Sequence, residues 1–157
     1  MTSSTIAERI ILIRLVYATV WHGVADRSSP EHAAVLHMLE TALDAELASA
    51  SRPQRQTIER HVARAVLMLM APHIAAGESC AKFGLAVFYA IRTLIDEGAY
   101  DLADGPFSDA MDAVLHEDGT VTEFANLPLM DRSAQKQARR LVIAMRSLGY
   151  FQERAAA

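Results

Sequence analysis

The sequence is poor in the residues that stabilise proteins lacking a large core. It contains a single cysteine, Cys80, so it cannot form an internal disulfide bond, and we expect a reducing, cytoplasmic environment. The 5 prolines and 7 glycines are scattered, which excludes collagen-like and low-complexity chains. With 157 residues, 52% of them hydrophobic, the chain is long enough to bury one core. We therefore expect a single domain spanning residues 1–157.

No hydrophobic run is long enough to cross a bilayer. The most apolar stretch extends from Ile10 to Trp21 and is interrupted by Arg14, whereas a transmembrane helix needs about 20 apolar residues. We therefore expect no membrane span and interpret this stretch as a buried helix. The polar N-terminal residues include both Glu8 and Arg9, so we also expect no leader peptide.

The chain lacks the alternation of apolar and polar residues that is typical of β-strands. Helix-cap residues are predicted at Ser29, Ser51 and Thr120, and Gly77 and Gly98 indicate helix ends. These patterns predict an all-α fold, a single-domain helical bundle of about six to seven helices with no sheet. We divide it into a four-helix core over 1–98, an acidic short-helix segment over 99–131, and a basic amphipathic C-terminal helix over 132–150.

Three stretches are apolar on all sides: Ile10–Trp21, Ala65–Pro72 and Phe83–Ile91. A domain of this size has room for about one fully encircled helix, so we expect a second copy of the chain to cover some of this surface. The alternative is tight burial within one copy. Gly84 lies inside the last stretch, where we expect close approach by a neighbouring helix, with a ligand slot as the alternative.

Charge is distributed unevenly along the chain. The net charge is −4, which argues weakly against non-specific nucleic-acid binding. Between Arg92 and Arg132 there are ten acidic residues and no basic ones, whereas the residues from Arg132 onward include six basic residues and one acidic residue.

The basic residues of the last predicted helix share one face. Five of them fall within an arc of about 120°: Arg132, Lys136, Arg139, Arg140 and Arg146. The opposite face carries Ala134, Ala138, Leu141, Met145 and Leu148, which we expect to dock on the domain. The basic face either is solvated and partly neutralised by the chain's own acids, or binds nucleic acid or an acidic protein.

The segment from Thr120 to Ser133 resembles the helix-turn-helix of MarR-type winged-helix regulators. The residues that fit are Glu123, Ala125, Met130, Asp131, Arg132 and Ser133. This resemblance implies a DNA-binding transcriptional regulator that uses residues 120–149, with Arg132, Ser133, Lys136 and Gln137 facing the major groove. The turns at Ala25-Asp26 and Ala103-Asp104-Gly105 are also similar to those of TerB-like tellurite-resistance domains, which implies a metal-binding helical domain.

Known catalytic and metal-binding patterns are missing. No histidine follows a glutamate by three residues, and no two histidines are four residues apart, as di-iron and zinc helices require. His37, Glu40 and Asp44 share one helical face that we expect to be solvated. His32 and His73 lie on apolar stripes, and we expect them to be buried or to lie at the edge of the core.

We therefore predict a non-enzymatic helical protein-interaction or regulatory module, homo-oligomeric and most simply a homodimer, with no cofactor and no metal. A protein partner is expected ahead of nucleic acid. The candidate binding residues are Arg132, Ser133, Lys136, Arg139, Arg140 and Arg146.

Overall fold

The computed structural model describes residues 5–23, 30–117, 124–127 and 132–152. Its elements are α1 (Ile6–Gly23), α2 (Pro30–Leu47), α3 (Arg52–Ala75), α4 (Cys80–Asp96), α5 (Pro106–Glu117), a 3-10 turn (Phe124–Asn126) and α6 (Arg132–Ser147). These described residues include no strand, and the predicted all-α helical bundle is confirmed.

Local sequence signals account for the ends of α3 and α4. At the start of α3, the Ser51 hydroxyl accepts a hydrogen bond from the Gln54 amide at 3.4 Å, and the Gln54 side chain accepts one from the Ser51 amide at 2.9 Å. Gly77 and Gly98 follow the two helices with positive φ angles of 71° and 72°, which glycine adopts without strain. The predicted caps at Ser29 and Thr120 lie outside the described residues.

α1 is the central helix and packs against α2, α3 and α4. Residues 10–16 are buried except for Arg14, because neighbouring helices cover α1 on several sides. α4 lies between α1 and α6 and buries Phe83, Val87 and Ile91. Two of the three uniformly apolar stretches are therefore largely covered within one copy. Our expectation that a second copy is needed there is not supported for α1 and α4.

The third apolar stretch, in α3, is packed on one side only. Val62, Ala65 and Leu69 are buried. In contrast, Leu67, Met68 and Ile74 are 70%, 49% and 68% exposed to solvent. α3 lies at the edge of the bundle, so no described helix covers its outer side. This helix carries the surplus apolar surface expected from the sequence.

Acidic and basic helices occupy different sides of the bundle. α2 and α5 pack against each other, and between them they contain seven acidic residues and no lysine or arginine. α3 and α6 also touch each other, and they contain nine basic residues and one acid, Glu59. Because α1 contacts α2 and α3, while α4 joins α1 to α6, these two central helices separate the acidic side from the basic side.

Candidate functional site

An open groove of about 490 Å³ lies between α1 and α3. Its lining is mainly apolar and includes Ile10, Tyr17, Trp21, Val62, Val66 and Leu67. The volume is within the range of ordinary ligand sites, about 300–1,000 Å³. Leu67 and Trp21 form part of its walls, yet 70% and 39% of their surfaces are exposed, so the groove opens to solvent.

Helical spacing explains why these side chains face the groove. Arg14, Tyr17 and Trp21 are separated by three and four residues, so they form one stripe along α1. Across the groove, Glu59, Ala63 and Leu67 follow one another at four-residue intervals and form the matching stripe of α3. The Trp21 ring is parallel to that of Tyr17 within 8°, with their centres 6.3 Å apart.

A second cavity extends the groove towards the C-terminal end of α3. Ala18 lines both cavities, and Met70, Ile74 and Phe83 add further apolar surface. From Glu59 to Ile74, α3 provides a wall about 22 Å long at 1.5 Å per residue. The second cavity holds only about 40 Å³, so the main groove, which α3 lines from Glu59 to Leu67, is about 12 Å long, or about two helical turns.

A polar cluster terminates this extension. The Nδ1 atom of His73 lies 2.7 Å from a carboxylate oxygen of Glu78, and the Gln137 side-chain amide donates to the other oxygen. Glu78 therefore connects α3, the α3–α4 turn and α6. The His73 side chain is 15% exposed, which agrees with its expected position at the edge of the core.

Charged side chains surround the apolar lining. Arg14 and Glu59 line the groove itself, and Arg60 and Arg64 are exposed on α3, each directly after a lining residue in the sequence. The Tyr17 hydroxyl donates to a Glu40 carboxylate oxygen at 3.2 Å; partial burial and this hydrogen bond raise the pKa of Tyr17 above its usual value. Three cations, Arg14, Arg60 and Arg64, therefore lie in the groove or beside it in the sequence, together with the two carboxylates of Glu40 and Glu59.

α6 has the two-sided character that its sequence predicts. Ala134, Ala138, Leu141 and Met145 are buried, and they place α6 against α4. The residues of the outer side are exposed: Arg132, Ser133, Lys136, Arg139 and Arg140. Among the described residues, no carboxylate oxygen lies within 4.0 Å of the basic groups of these four cations.

Arg146 differs from the other basic residues of α6 because the fold engages it. Its guanidinium contacts a Glu97 carboxylate oxygen at 2.6 Å, and its Nε atom donates to the Phe151 carbonyl at 2.9 Å. The alternative in which the last helix is neutralised by the chain's own acids is thus realised at this residue. Four of the five predicted cations remain exposed on the outer face.

The structure describes only part of the segment that resembles a helix-turn-helix. Residues 120–123 and 128–131 lie outside the described residues, and Phe124–Asn126 forms a 3-10 turn. The Phe124 amide of that turn donates to an Asp112 carboxylate oxygen at 2.5 Å. Gln137 is only 9% exposed and donates to Glu78, so the implication that it faces a DNA groove is wrong.

No sequence motif marked Trp21, Leu67 and Ile74, which line the groove and its extension, as candidate site residues. The available signal was the uniformly apolar stretch Ala65–Pro72, because a helix with apolar residues on every side has surface to spare. The same signal occurs in α1 and α4, where the surface is largely buried. Only the packing of the helices distinguishes them.

No established type of site is found in the part of the chain that the structure describes. His37, Glu40 and Asp44 are exposed, and no group of three or more His, Cys, Asp or Glu side chains in this part could hold a metal ion. The side chain of Cys80 and the turn at Ala25-Asp26 lie outside the described residues. Of the described helices, none combines the length and apolar character needed to span a membrane.

Comparisons of the chain with protein-family models, with curated proteins and with solved structures found no match.

Proposed function

We propose that this protein is a non-enzymatic interaction module that holds an acidic amphipathic helix of a partner protein in the groove between α1 and α3. The observation that carries this proposal is an open, mainly apolar groove on the surface of the bundle, between α1 and α3, with exposed apolar side chains in its walls. Recognition of a helix in a groove needs apolar anchors from successive turns and a trough that receives them. The stripes of α1 and α3 supply such a trough.

The exposed apolar side chains give the groove its affinity. Complete burial of a leucine or similar side chain contributes about 1.5–3 kcal/mol. Leu67 is 70% exposed, so a partner that covers it recovers about 1–2 kcal/mol from this residue alone. Trp21 and Ile74 extend the same surface along the groove. The open rim favours a protein segment over a small molecule, because small-molecule sites bury about 70–90% of their ligand.

Charge complementarity favours an acidic helix. Arg14 lines the groove, and Arg60 and Arg64 are exposed on α3 directly after the lining residues Glu59 and Ala63. These three cations face two carboxylates, those of Glu59 and of Glu40 beside Tyr17. Acidic residues beside the apolar face of a partner helix meet these guanidinium groups, whereas basic residues are repelled. Because the arginines lie at the rim, we expect their contribution to appear in the association rate and in its dependence on salt.

Trp21 provides a direct assay, because it is the only tryptophan in the chain and it lines the groove. The probe is a synthetic amphipathic helix of about 16 residues with leucines on one face and glutamates on the other. Titration is expected to shift the Trp21 emission to shorter wavelength with a saturable dependence on peptide. The same peptide with lysines in place of the glutamates is expected to bind more weakly.

Two neighbouring substitutions test the location of the site. Leu67→Asp is expected to weaken peptide binding by about tenfold or more, which corresponds to about 1.4 kcal/mol. Met68→Asp is the matched control, because Met68 is exposed on the same helix but does not line the groove. Both variants are expected to fold, since neither residue is buried, and far-ultraviolet circular dichroism checks this.

Other results of these experiments would contradict the proposed binding of a partner helix. Absence of any Trp21 response, or equal loss of binding in the two variants, removes the groove as the binding site. The homo-oligomer expected from the sequence is tested by sedimentation velocity of the protein alone. A dimer that Leu67→Asp dissociates and Met68→Asp leaves intact assigns the groove to a second copy and overturns the partner helix.

A further inference from the structure

The outer face of α6 is a separate feature, since its residues do not line the α1–α3 groove. Arg132, Lys136, Arg139 and Arg140 are exposed there, and in the described residues none of them has a carboxylate partner. We infer that this face is a second binding surface, which docks on the phosphate backbone of double-stranded nucleic acid without reading base sequence. The inference does not depend on the proposed function of the groove.

The composition of the face favours a polyanion over an acidic protein. Protein interfaces have an apolar core with few charges at its centre. The outer face of α6 has one exposed large apolar residue, Ile143, surrounded by cations. Guanidinium groups match the geometry of phosphate oxygens, and the exposed Ser133 hydroxyl adds a neutral donor.

The same face favours a duplex over a single strand. Proteins that hold single strands stack the bases on aromatic side chains, and α6 contains no aromatic residue. The four cations are distributed over about 12 Å of helix, a length along which a duplex presents about seven phosphate charges. Contacts from arginine and lysine to phosphates carry no sequence information, so we expect similar affinity for unrelated sequences.

The position of α6 resolves an apparent conflict with the net charge of −4. Seven of the acids belong to α2 and α5, which pack together, while α6 packs on α4 and the end of α3. α1 and α4 separate these two sides of the bundle, so the acidic helices do not border the basic face. At physiological salt the Debye length is about 8 Å, which limits repulsion of a duplex by charges on the far side.

The test is a salt titration of binding to a fluorescent duplex DNA of about 20 base pairs, measured by anisotropy. Each phosphate contact contributes about −0.9 to the slope of log affinity against log salt, so four contacts predict a slope of about −3.6. Affinity then falls about 150-fold between 50 and 200 mM salt. Each single change to glutamine on the face is expected to make the slope shallower by about one.

A charge-matched pair of variants separates the face from the net charge. The test variant is Arg132→Gln, Lys136→Gln, Arg139→Gln and Arg140→Gln together, and it is expected to lose duplex binding. The control variant removes four exposed cations elsewhere: Arg52→Gln, Arg60→Gln, Arg64→Gln and Lys82→Gln. The control is expected to keep duplex binding while it weakens binding of the acidic peptide, so the two proposals fail or succeed separately.

Four results would overturn the inference or part of it. The first is no duplex binding at low salt, and the second is an equal loss of binding in the two quadruple variants. The third is binding of poly-glutamate as tight as that of duplex DNA, which would assign the face to an acidic protein. Binding of single-stranded DNA more tightly than the duplex would refute the assignment to a double strand.

Discussion

Replacement of Gly84 by alanine tests how closely α1 and α4 approach each other. Gly84 lies in the interior of α4, and a Cβ atom at this position would lie 3.4 Å from the Thr19 Cβ and 3.6 Å from its Oγ1. Thr19 is buried, and its hydroxyl donates to the Val16 carbonyl at 2.8 Å, which holds the side chain in place. The space therefore accepts one methyl group at ordinary van der Waals distance and nothing larger.

The expected magnitudes follow from this geometry. Glycine inside a helix costs about 1 kcal/mol relative to alanine, and the added methyl group gains contact with Thr19. We expect Gly84→Ala to raise the free energy of unfolding by about 0.5–1 kcal/mol, which raises Tm by about 1–4 °C for a chain of this size. Gly84→Leu forces a larger side chain against Thr19, and we expect it to lower stability by about 1–3 kcal/mol.

Urea unfolding monitored by circular dichroism measures both effects. Gly84→Ala should move the midpoint to higher urea without changing the slope, because neither folded nor unfolded state changes in compactness. If Gly84→Ala lowered the free energy of unfolding, α1 and α4 would have to lie closer together than the 3.4 Å between the added Cβ and the Thr19 Cβ indicates. A Gly84→Leu variant as stable as the original would mean that the helices leave a slot here, and would refute the close packing of α1 on α4.

Three further predictions concern other parts of the bundle. Ser51→Ala removes the side-chain half of the cap with Gln54 and should lower the free energy of unfolding by about 1 kcal/mol, measured by urea unfolding. Leu69 is 2% exposed, and Leu69→Ala should lower the free energy of unfolding by about 2–5 kcal/mol. Leu67→Ala on the same helix should change it by under about 0.5 kcal/mol. Similar losses of stability in the two variants would contradict the orientation of α3. Burial raises the pKa of Tyr100 well above its ordinary value of 10.0. The phenol therefore loses its proton at lower pH in the unfolded chain than in the folded protein. The free energy of unfolding should fall as pH rises above about 10, by up to 1.4 kcal/mol per pH unit. Tyr100→Phe should make that decline less steep, and an unchanged profile would contradict the burial of this phenol.

The parts of the fold that could be predicted are those governed by neighbours in sequence. Ser51 and Gln54 are three residues apart and form a reciprocal cap, and Gly77 and Gly98 adopt the positive φ that ends α3 and α4. The division of α6 into two faces likewise follows from the helical repeat, since each turn places Ala138 or Leu141 inward. One cap was overlooked: Thr5 and Glu8 exchange hydrogen bonds of 2.7 and 3.1 Å at the start of α1.

The roles of individual polar residues depended on distant partners. Arg146 and Lys136 look alike on a helical wheel, yet only Arg146 meets Glu97, which is 49 residues away in the sequence. Gln137 was assigned to an outer face by the helix-turn-helix resemblance, and the structure buries it against Glu78, 59 residues away. Such contacts arise from the packing of α6 on α3 and α4, and no local pattern encodes them.

The sequence by itself determined the all-α class, the ends of α3 and α4, and the presence of more apolar helix surface than a small domain readily hides. The tertiary structure alone decided where that surface lies, because α1, α4 and residues 65–72 have the same apolar character before they pack. Helices that surround α1 and α4 bury them, and α3 at the edge is left with Leu67 and Ile74 exposed beside Trp21. Burial depends on which neighbours surround a helix, so the groove came into view only with the assembled bundle.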